Sequence, residues 1–237
     1  MDTADQSSIP PIEGARSFSF FFEGQFQHAL FAIALGAGAL VIAQPAIDGS
    51  PWLGRSDQTW FMWGLAAALI HQIAAWFLLR VQVRFRLLTR MLRRADLAVW
   101  GLIHITFLVL RLAATIGVAA ADAGSMGLSP PVAAGVGALF VIPGLWGVWS
   151  AIRHAPDRVI AAGHFRERYR NVDVPSRGAY RLSRQPLYAY GFLVFWGVAV
   201  VGSSRIALAV ALFQYTYIWV YRYCIEAPNE RVLASHR

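Results

Sequence analysis

Residues 95–121 have the sequence ADLAVWGLIHITFLVLRLAATIGVAAA, and this stretch decides the fold class. From Leu97 onward its only ionisable side chains are His104 and Arg111. A helix needs about 20 residues to cross the hydrocarbon core of a bilayer, so the stretch predicts a transmembrane helix. Five further apolar stretches flank it, at Phe26–Ile47, Thr59–Val81, Pro130–Ile152, Leu187–Gly202 and Ser204–Tyr223.

The composition agrees with a membrane protein. Hydrophobic residues make up 57% of the 237-residue chain and charged residues 14%, whereas soluble domains have about 45–50% and about 25%. A soluble fold of this size has too small a core for so many apolar side chains. Lipid cannot satisfy open backbone groups, so the spans are predicted to be helices. We therefore expect an all-α integral membrane protein with about six transmembrane helices.

The distribution of charge predicts the orientation. All 21 basic residues are arginines, and the formal net charge is +8. Five arginines follow the second span and eight follow the fourth, a pattern typical of the positive-inside bias. This placement excludes a nucleic-acid surface and puts both termini in the cytoplasm, which we take to be the cytoplasmic side of a bacterial inner membrane. The single Cys224 excludes an internal disulfide and a cysteine metal cluster.

The domain organisation is predicted to be simple. Residues 1–24 form an interfacial segment, and residues 25–237 form one transmembrane helical domain. The short turn at residues 202–205 separates the last two spans, which should therefore pair as a C-terminal antiparallel helical hairpin.

The loop before that hairpin carries the most specific motif. Residues 177–191 have the sequence RGAYRLSRQPLYAYG, and residues 229–233 after the hairpin have the sequence NERVL. The spacing Gly-x-Tyr-Arg-x-x-Arg-x-Pro-x-Tyr resembles that of the membrane-embedded isoprenylcysteine carboxyl methyltransferases and phospholipid N-methyltransferases. The resemblance covers residues 153–233. The chain departs from the family pattern at Gln185, Tyr190 and Asn229.

The resemblance implies an S-adenosylmethionine site that opens to the cytoplasm. Arg184 or Arg181 would hold the cofactor carboxylate, and Glu230 or Glu226 would hold its ammonium or ribose hydroxyls. Arg184 and Glu230 are the two positions to which we assign catalytic importance. The remaining predicted cofactor-binding residues are Tyr180, Gln185, Pro186, Tyr188 and Gly191. The alternative is that these arginines contact lipid headgroups and that Arg222, Glu226 and Glu230 form a surface ion-pair ladder.

Polar residues inside the spans mark a second candidate site, because such residues are costly in lipid. His71 and Gln72 lie midway along the second span, and His104 and Arg111 share one face of the third. In the family interpretation His71, His104 and Arg111 line a substrate cavity. In a second interpretation two of His28, His71 and His104 ligate haem b. In a third they only form hydrogen bonds between helices.

Three functions follow from these patterns. The first is methyl transfer from S-adenosylmethionine to a lipidic or small hydrophobic acceptor: a prenylated thiol, a phospholipid amine, a quinol or a small thiol. The second is a haem-binding membrane protein that transfers electrons or isomerises a lipid. The third is a non-catalytic family relative that serves as a subunit of a membrane complex. If the first is correct, Arg184→Ala and Glu230→Gln should each weaken cofactor binding at least about tenfold.

Overall fold

The computed structural model describes residues 17–170 and 173–234, and these residues form a helical bundle. A short β-hairpin connects the second helix to the third. Its strands, β1 (Pro51–Trp52) and β2 (Arg55–Ser56), have two residues each. The helices, in chain order, are α1 (Phe18–Phe22), α2 (Gln25–Ala43), α3 (Asp57–Phe85), α4 (Leu87–Leu92), α5 (Asp96–Ala121), α6 (Pro130–His154), α7 (Pro156–Val159), α8 (Leu193–Val201), α9 (Arg205–Tyr221) and α10 (Ala227–Ala234).

Four helical segments are long and apolar enough to cross a membrane. They are Phe18–Ala46, Asp57–Phe85, Leu87–Ala121 and Pro130–His154, and they contain the first four predicted spans. The fifth predicted span is the shorter apolar segment Leu187–Val201, whose first turn, Leu187–Gly191, is π-helical. The sixth corresponds to α9. The count of six spans and the cytoplasmic placement of both termini remain predictions.

The N-terminal interfacial segment is described only from residue 17. Ser17 caps α1, and Phe20 packs in a small core with Val83 and Leu233. Arg80 on α3 donates hydrogen bonds to the carbonyls of Phe20 and Glu23. These contacts join α1 to both α3 and α10, while residues 1–16 lie outside the described part of the chain.

The two basic loops lie at the same end of the bundle. Arg86, after α3, donates to the carbonyl of Phe165 (3.1 Å). Arg166 in the long loop after α6 pairs with the buried carboxylate of Asp96 at the start of α5, with Nη1 2.6 Å from Oδ2. This ion pair fixes the long loop against α5. At the opposite end of the bundle Asp122 accepts a hydrogen bond from Ser204 Oγ (2.7 Å).

Close packing of α6 on α8 positions the π-helical turn before α8. A Cβ on Gly147 would meet the Cβ of Tyr190, and one on Gly144 would meet the backbone nitrogen of Val194. Small residues let membrane helices approach this closely. The contact holds the turn at Leu187–Gly191 rigidly, and with it the side chain of Tyr188.

Candidate active site

A polar cleft of about 370 Å³ opens between the long loop after α6 and helix α10. Its volume lies within the roughly 300–1,000 Å³ typical of small-molecule sites. The cleft combines cations, carboxylates and aromatic rings. Its polar and aromatic lining residues are Asp157, Arg158, His164, Tyr169, Arg170, Asp173, Gln185, Tyr188, Glu226 and Glu230.

A second, inner cavity lies deeper among the helices. It is narrow, with about 30 Å³ of free volume, which is room for roughly two water molecules. Most of its wall is apolar, and its polar or aromatic lining residues are His71, Gln72, Trp100, His104, Arg158, Tyr188, Phe192, Tyr221 and Glu226. Arg158, Ala161, Tyr188 and Glu226 line both spaces. The cleft and the inner cavity therefore meet at these four residues.

Tyr188 and Glu226 form a hydrogen-bonded pair at this junction. The Tyr188 hydroxyl donates to Glu226 Oε1, and Arg222 Nη1 lies 3.7 Å from Glu226 Oε2. Only 17% of the Glu226 side chain is exposed. Burial raises the pKa of Glu226 to about 7, although the hydrogen bond from Tyr188 and the charge of Arg222 favour its ionised form.

Two unusual backbone features hold Glu226 in place. Residues Arg222–Glu226 form a π-helical turn between α9 and α10, and such turns are frequent at functional sites. Gly24 has φ +77°, and a Cβ there would overlap the carbonyl oxygen of Cys224. Only glycine allows the N-terminal segment to approach this turn so closely.

Four of the predicted cofactor-binding residues come together in the cleft: Gln185, Tyr188, Glu226 and Glu230. Glu230 also accepts a hydrogen bond from Arg222 Nη2 (2.7 Å). Since Arg222 contacts both glutamates, the predicted ion-pair ladder is present as well.

The other five predicted residues lie elsewhere. Tyr180 is buried beneath the loop, and burial raises its pKa. Pro186 and Gly191 begin and end the turn that carries Tyr188, and Gly191 packs against Leu187 and Val148. Arg181 and Arg184 are exposed and do not line the cleft, and neither forms a hydrogen bond or ion pair with residues 17–170 or 173–234.

The cations in the cleft come from a different part of the loop. Arg158 on α7 lines both spaces, and its guanidinium makes no hydrogen bond or ion pair within the described part of the chain. The side chain of Arg170 is only 8% exposed, its Nε donates to the carbonyl of Gly163 (3.3 Å), and burial lowers its pKa. The sequence shows both as members of an arginine-rich loop but gives no signal that separates them from their neighbours.

His164 is another cleft residue that the motif does not include. Its Nδ1 donates to the carbonyl of Ala161 (3.0 Å), because a carbonyl can only accept. Burial lowers the pKa of His164 to about 4, so the ring is neutral at pH 7. It therefore adds no positive charge to the cleft.

The predicted intramembrane residues His71, His104 and Arg111 do meet. Together with Thr115 and Gln214 they form a group that we call the histidine cluster. Arg111 Nη1 donates to His71 Nδ1 (3.4 Å) and Arg111 Nε to Gln214 Oε1 (2.8 Å). Since His71 Nδ1 accepts, its Nε2 carries the proton and donates to His104 Nδ1 (3.1 Å). His71 and His104 line the inner cavity, and Arg111 lies behind it over the ring of Phe192 (4.8 Å).

This geometry does not suit haem ligation. An iron between two histidine nitrogens would hold them about 4 Å apart, at roughly 2 Å from each, whereas the facing nitrogens of His71 and His104 are hydrogen-bonded at 3.1 Å. His28 Nε2 is bonded to Gln72 Oε1 (3.0 Å), and its ring stacks on Tyr217. Among the described residues no group of three or more His, Cys, Asp or Glu could hold a metal ion.

The comparison with protein families agrees with the motif. The model of the phospholipid methyltransferase family matches residues 132–231. Residues 132–231 are therefore similar to this family. The match extends through most of α6, so the family relationship includes the fourth predicted span as well as the motif at residues 153–233. No curated protein and no solved structure matches the chain.

The apolar helices indicate an integral membrane protein, and the family match shows that residues 132–231 are similar to a membrane methyltransferase. The cleft residues from Asp157 to Glu230 lie within the matched residues, and Leu233 and Ala234 lie just beyond them. His71, His104 and Arg111 lie outside them.

Proposed function

We propose that the protein transfers a methyl group from S-adenosylmethionine to a hydrophobic acceptor that enters from the membrane. The observation that supports this most strongly is the meeting of the polar cleft and the inner cavity at Tyr188 and Glu226. Methyl transfer needs a water-soluble donor and a lipid-soluble acceptor to touch at one point. A polar space and an apolar space with a common wall provide such a point.

The residues of the cleft suit the cofactor chemically. S-Adenosylmethionine carries a carboxylate, an ammonium, a sulfonium and an adenine ring, and when bound it supplies an electrophilic methyl group. Arg158 would hold the carboxylate through charge-assisted hydrogen bonds, and Glu230 would hold the ammonium. Tyr169 and Tyr188 offer aromatic faces for the adenine or the sulfonium. The cleft has the volume of a small-molecule site.

The inner cavity would receive the reacting group of the acceptor. Its walls are mainly apolar, and its small free volume leaves little water beside the junction. Orienting two reactants and excluding water are the main contributions a protein makes to such a displacement. The arrangement supports a slender or single-chain reacting group and leaves open whether it is a thiol, an amine or a quinol.

The location of the site follows from the loops. The cleft lies at the end of the bundle that carries both arginine-rich loops, so the positive-inside rule favours a cytoplasmic opening. We therefore propose an inner-membrane enzyme whose cofactor enters from the cytoplasm and whose acceptor enters from the lipid. A partner in a membrane complex remains a prediction.

A methyl-transfer assay tests the function. Purified protein in detergent would be incubated with S-adenosylmethionine tritiated on the methyl group and a bacterial lipid extract. We expect label in the organic phase with the wild type and at least tenfold less with Glu230→Gln. If the wild type binds S-adenosylhomocysteine but transfers no label, the interpretation of the inner cavity as an acceptor site is wrong.

A further inference from the structure

We infer that Glu226 takes up the proton that the acceptor loses during methyl transfer, so that the acceptor reacts through an S–H, O–H or N–H group and not through a carboxylate. This inference rests on the proposed function and assigns the acceptor a chemical class. It gives Glu226 a catalytic role in addition to its place in the wall of the cleft.

The position of Glu226 is the first argument. It is the one carboxylate that lines both the cleft and the inner cavity among the described residues. Its Oε1 is occupied by the hydroxyl of Tyr188. Within residues 17–170 and 173–234, Oε2 accepts no hydrogen bond, since Arg222 Nη1 lies 3.7 Å away. Oε2 is therefore a free acceptor at the point where the two reactants would meet.

The histidines of the inner cavity are the obvious competitors for this role, and their hydrogen bonds exclude them. His71 Nδ1 accepts from Arg111, and His71 Nε2 donates to His104 Nδ1. The proton of a neutral His104 must then be on Nε2, because Nδ1 is the acceptor. His104 thus presents a donor, and His71 has no free nitrogen. Neither can accept a proton without first breaking this chain of hydrogen bonds.

The charges around Glu226 suit a base that works near neutral pH. Arg222 and Arg158 favour the carboxylate, and so does the hydrogen bond from Tyr188. Burial and the nearby Glu230 oppose ionisation, and the remaining titratable neighbour is the Tyr221 hydroxyl. The resulting pKa of about 7 is close to the value at which a general base is most effective.

The bonds and charges of the step balance. The acceptor X–H bond is replaced by an X–CH₃ bond that uses the electron pair of X. The carbon–sulfur bond of the sulfonium breaks, and its electron pair stays on sulfur as a neutral thioether. The proton passes from X to Oε2 of Glu226 and then to water in the cleft. A carboxylate acceptor would release no proton and would need no base.

Two matched variants test the role. Glu226→Gln keeps the shape of the side chain but cannot take a proton, and we expect kcat to fall about 100-fold or more. S-Adenosylhomocysteine affinity should change less than about threefold. Tyr188→Phe removes only the hydrogen bond that stabilises the carboxylate, so the ascending limb of the pH–rate profile should move to higher pH.

The acceptor probes are decanethiol, a short-chain ubiquinol, dioleoylphosphatidylethanolamine and the carboxylate N-acetyl-S-farnesylcysteine.

An infrared titration provides a readout that needs no turnover. The carbonyl band of a protonated buried carboxyl should disappear with a midpoint near pH 7 in the wild type and be absent from Glu226→Gln. Methylation of the farnesylcysteine carboxylate, use of none of the four probes, or full kcat in Glu226→Gln would overturn the inference. Absence of S-adenosylhomocysteine binding in the wild type would instead contradict the proposed function itself.

Discussion

The cleft and the histidine cluster are both built from polar residues in an apolar protein, but their polar groups are used in opposite ways. In the cluster most polar groups bond to one another: Arg111 to His71 and Gln214, His71 to His104, and Gln214 to Thr115 (3.0 Å). Among the described residues Arg111 Nη2 has no hydrogen-bond partner. In the cleft the side chain of Arg158 has no hydrogen-bond or ion-pair partner among the described residues, and Glu226 Oε2 accepts no hydrogen bond from them. The comparison therefore separates polar groups that mainly hold helices together from polar groups that are available to a ligand.

The largest expected effect concerns the cluster. Arg111→Ala removes the donors of His71 and Gln214 and leaves a void, so we expect a loss of about 2–4 kcal/mol in stability. The melting temperature in detergent measures this loss. Thr106→Ala, on the exposed side of the same helix, is the control and should stay within about 0.5 kcal/mol of the wild type. A stable Arg111→Ala variant that no longer binds S-adenosylhomocysteine would show that the cluster serves binding and not stability.

The second effect concerns the cleft. It tests whether the cofactor carboxylate is bound by an arginine of the motif or by the arginine that lines the cleft. The resemblance implies that Arg184 or Arg181 holds the cofactor carboxylate, whereas the structure places Arg158 in the cleft and both of these arginines outside it. We expect Arg158→Ala to weaken S-adenosylhomocysteine binding about 10- to 150-fold, as loss of a charge-assisted hydrogen bond does. Arg184→Ala, measured in the same titration, should change it less than about threefold. The opposite order would show that the loop rearranges when the cofactor binds.

The third expected effect is a pH dependence of stability. The pKa of Glu226 is about 7 in the folded protein against 4.5 for an unperturbed glutamate. The folded state therefore binds the extra proton between these values, and stability should fall as the pH rises from 4.5 to above 7. The loss is up to about 3 kcal/mol. The melting temperature should change less between pH 5 and pH 8 for Glu226→Gln than for the wild type. An equal change in both proteins would contradict this prediction.

The sequence predicts the helices well because apolar length alone determines them. Residues 26–47, 59–81, 95–121 and 130–152 are each long enough to span lipid, and the structure has helices there. The resemblance likewise implies a site that includes Gln185, Tyr188, Glu226 and Glu230, and the structure brings these four residues to one cleft. Each of these residues lies in or next to a helix or turn of the C-terminal region, so local pattern and hairpin connectivity bring them together.

The cations of the cleft could not be predicted in the same way. The path of residues 155–170 depends on tertiary contacts such as Arg166 with Asp96 and Arg86 with the Phe165 carbonyl. These contacts join residues far apart in the chain and have no local signature. Arg166 lies outside the motif at residues 177–191, and nothing in the sequence indicates that it pairs with the buried carboxylate of Asp96. The local sequence does not distinguish the eight arginines of this loop; only their tertiary contacts do.

Calorimetric titration of the wild-type protein in detergent with S-adenosylhomocysteine decides whether the cleft is a cofactor site. It requires no knowledge of the acceptor. We expect saturable binding of one ligand per chain, weakened at least tenfold by Arg158→Ala and by Glu230→Gln and preserved in Arg184→Ala. No heat of binding from the wild type at millimolar ligand, with the protein still folded, would contradict a cofactor site in this cleft.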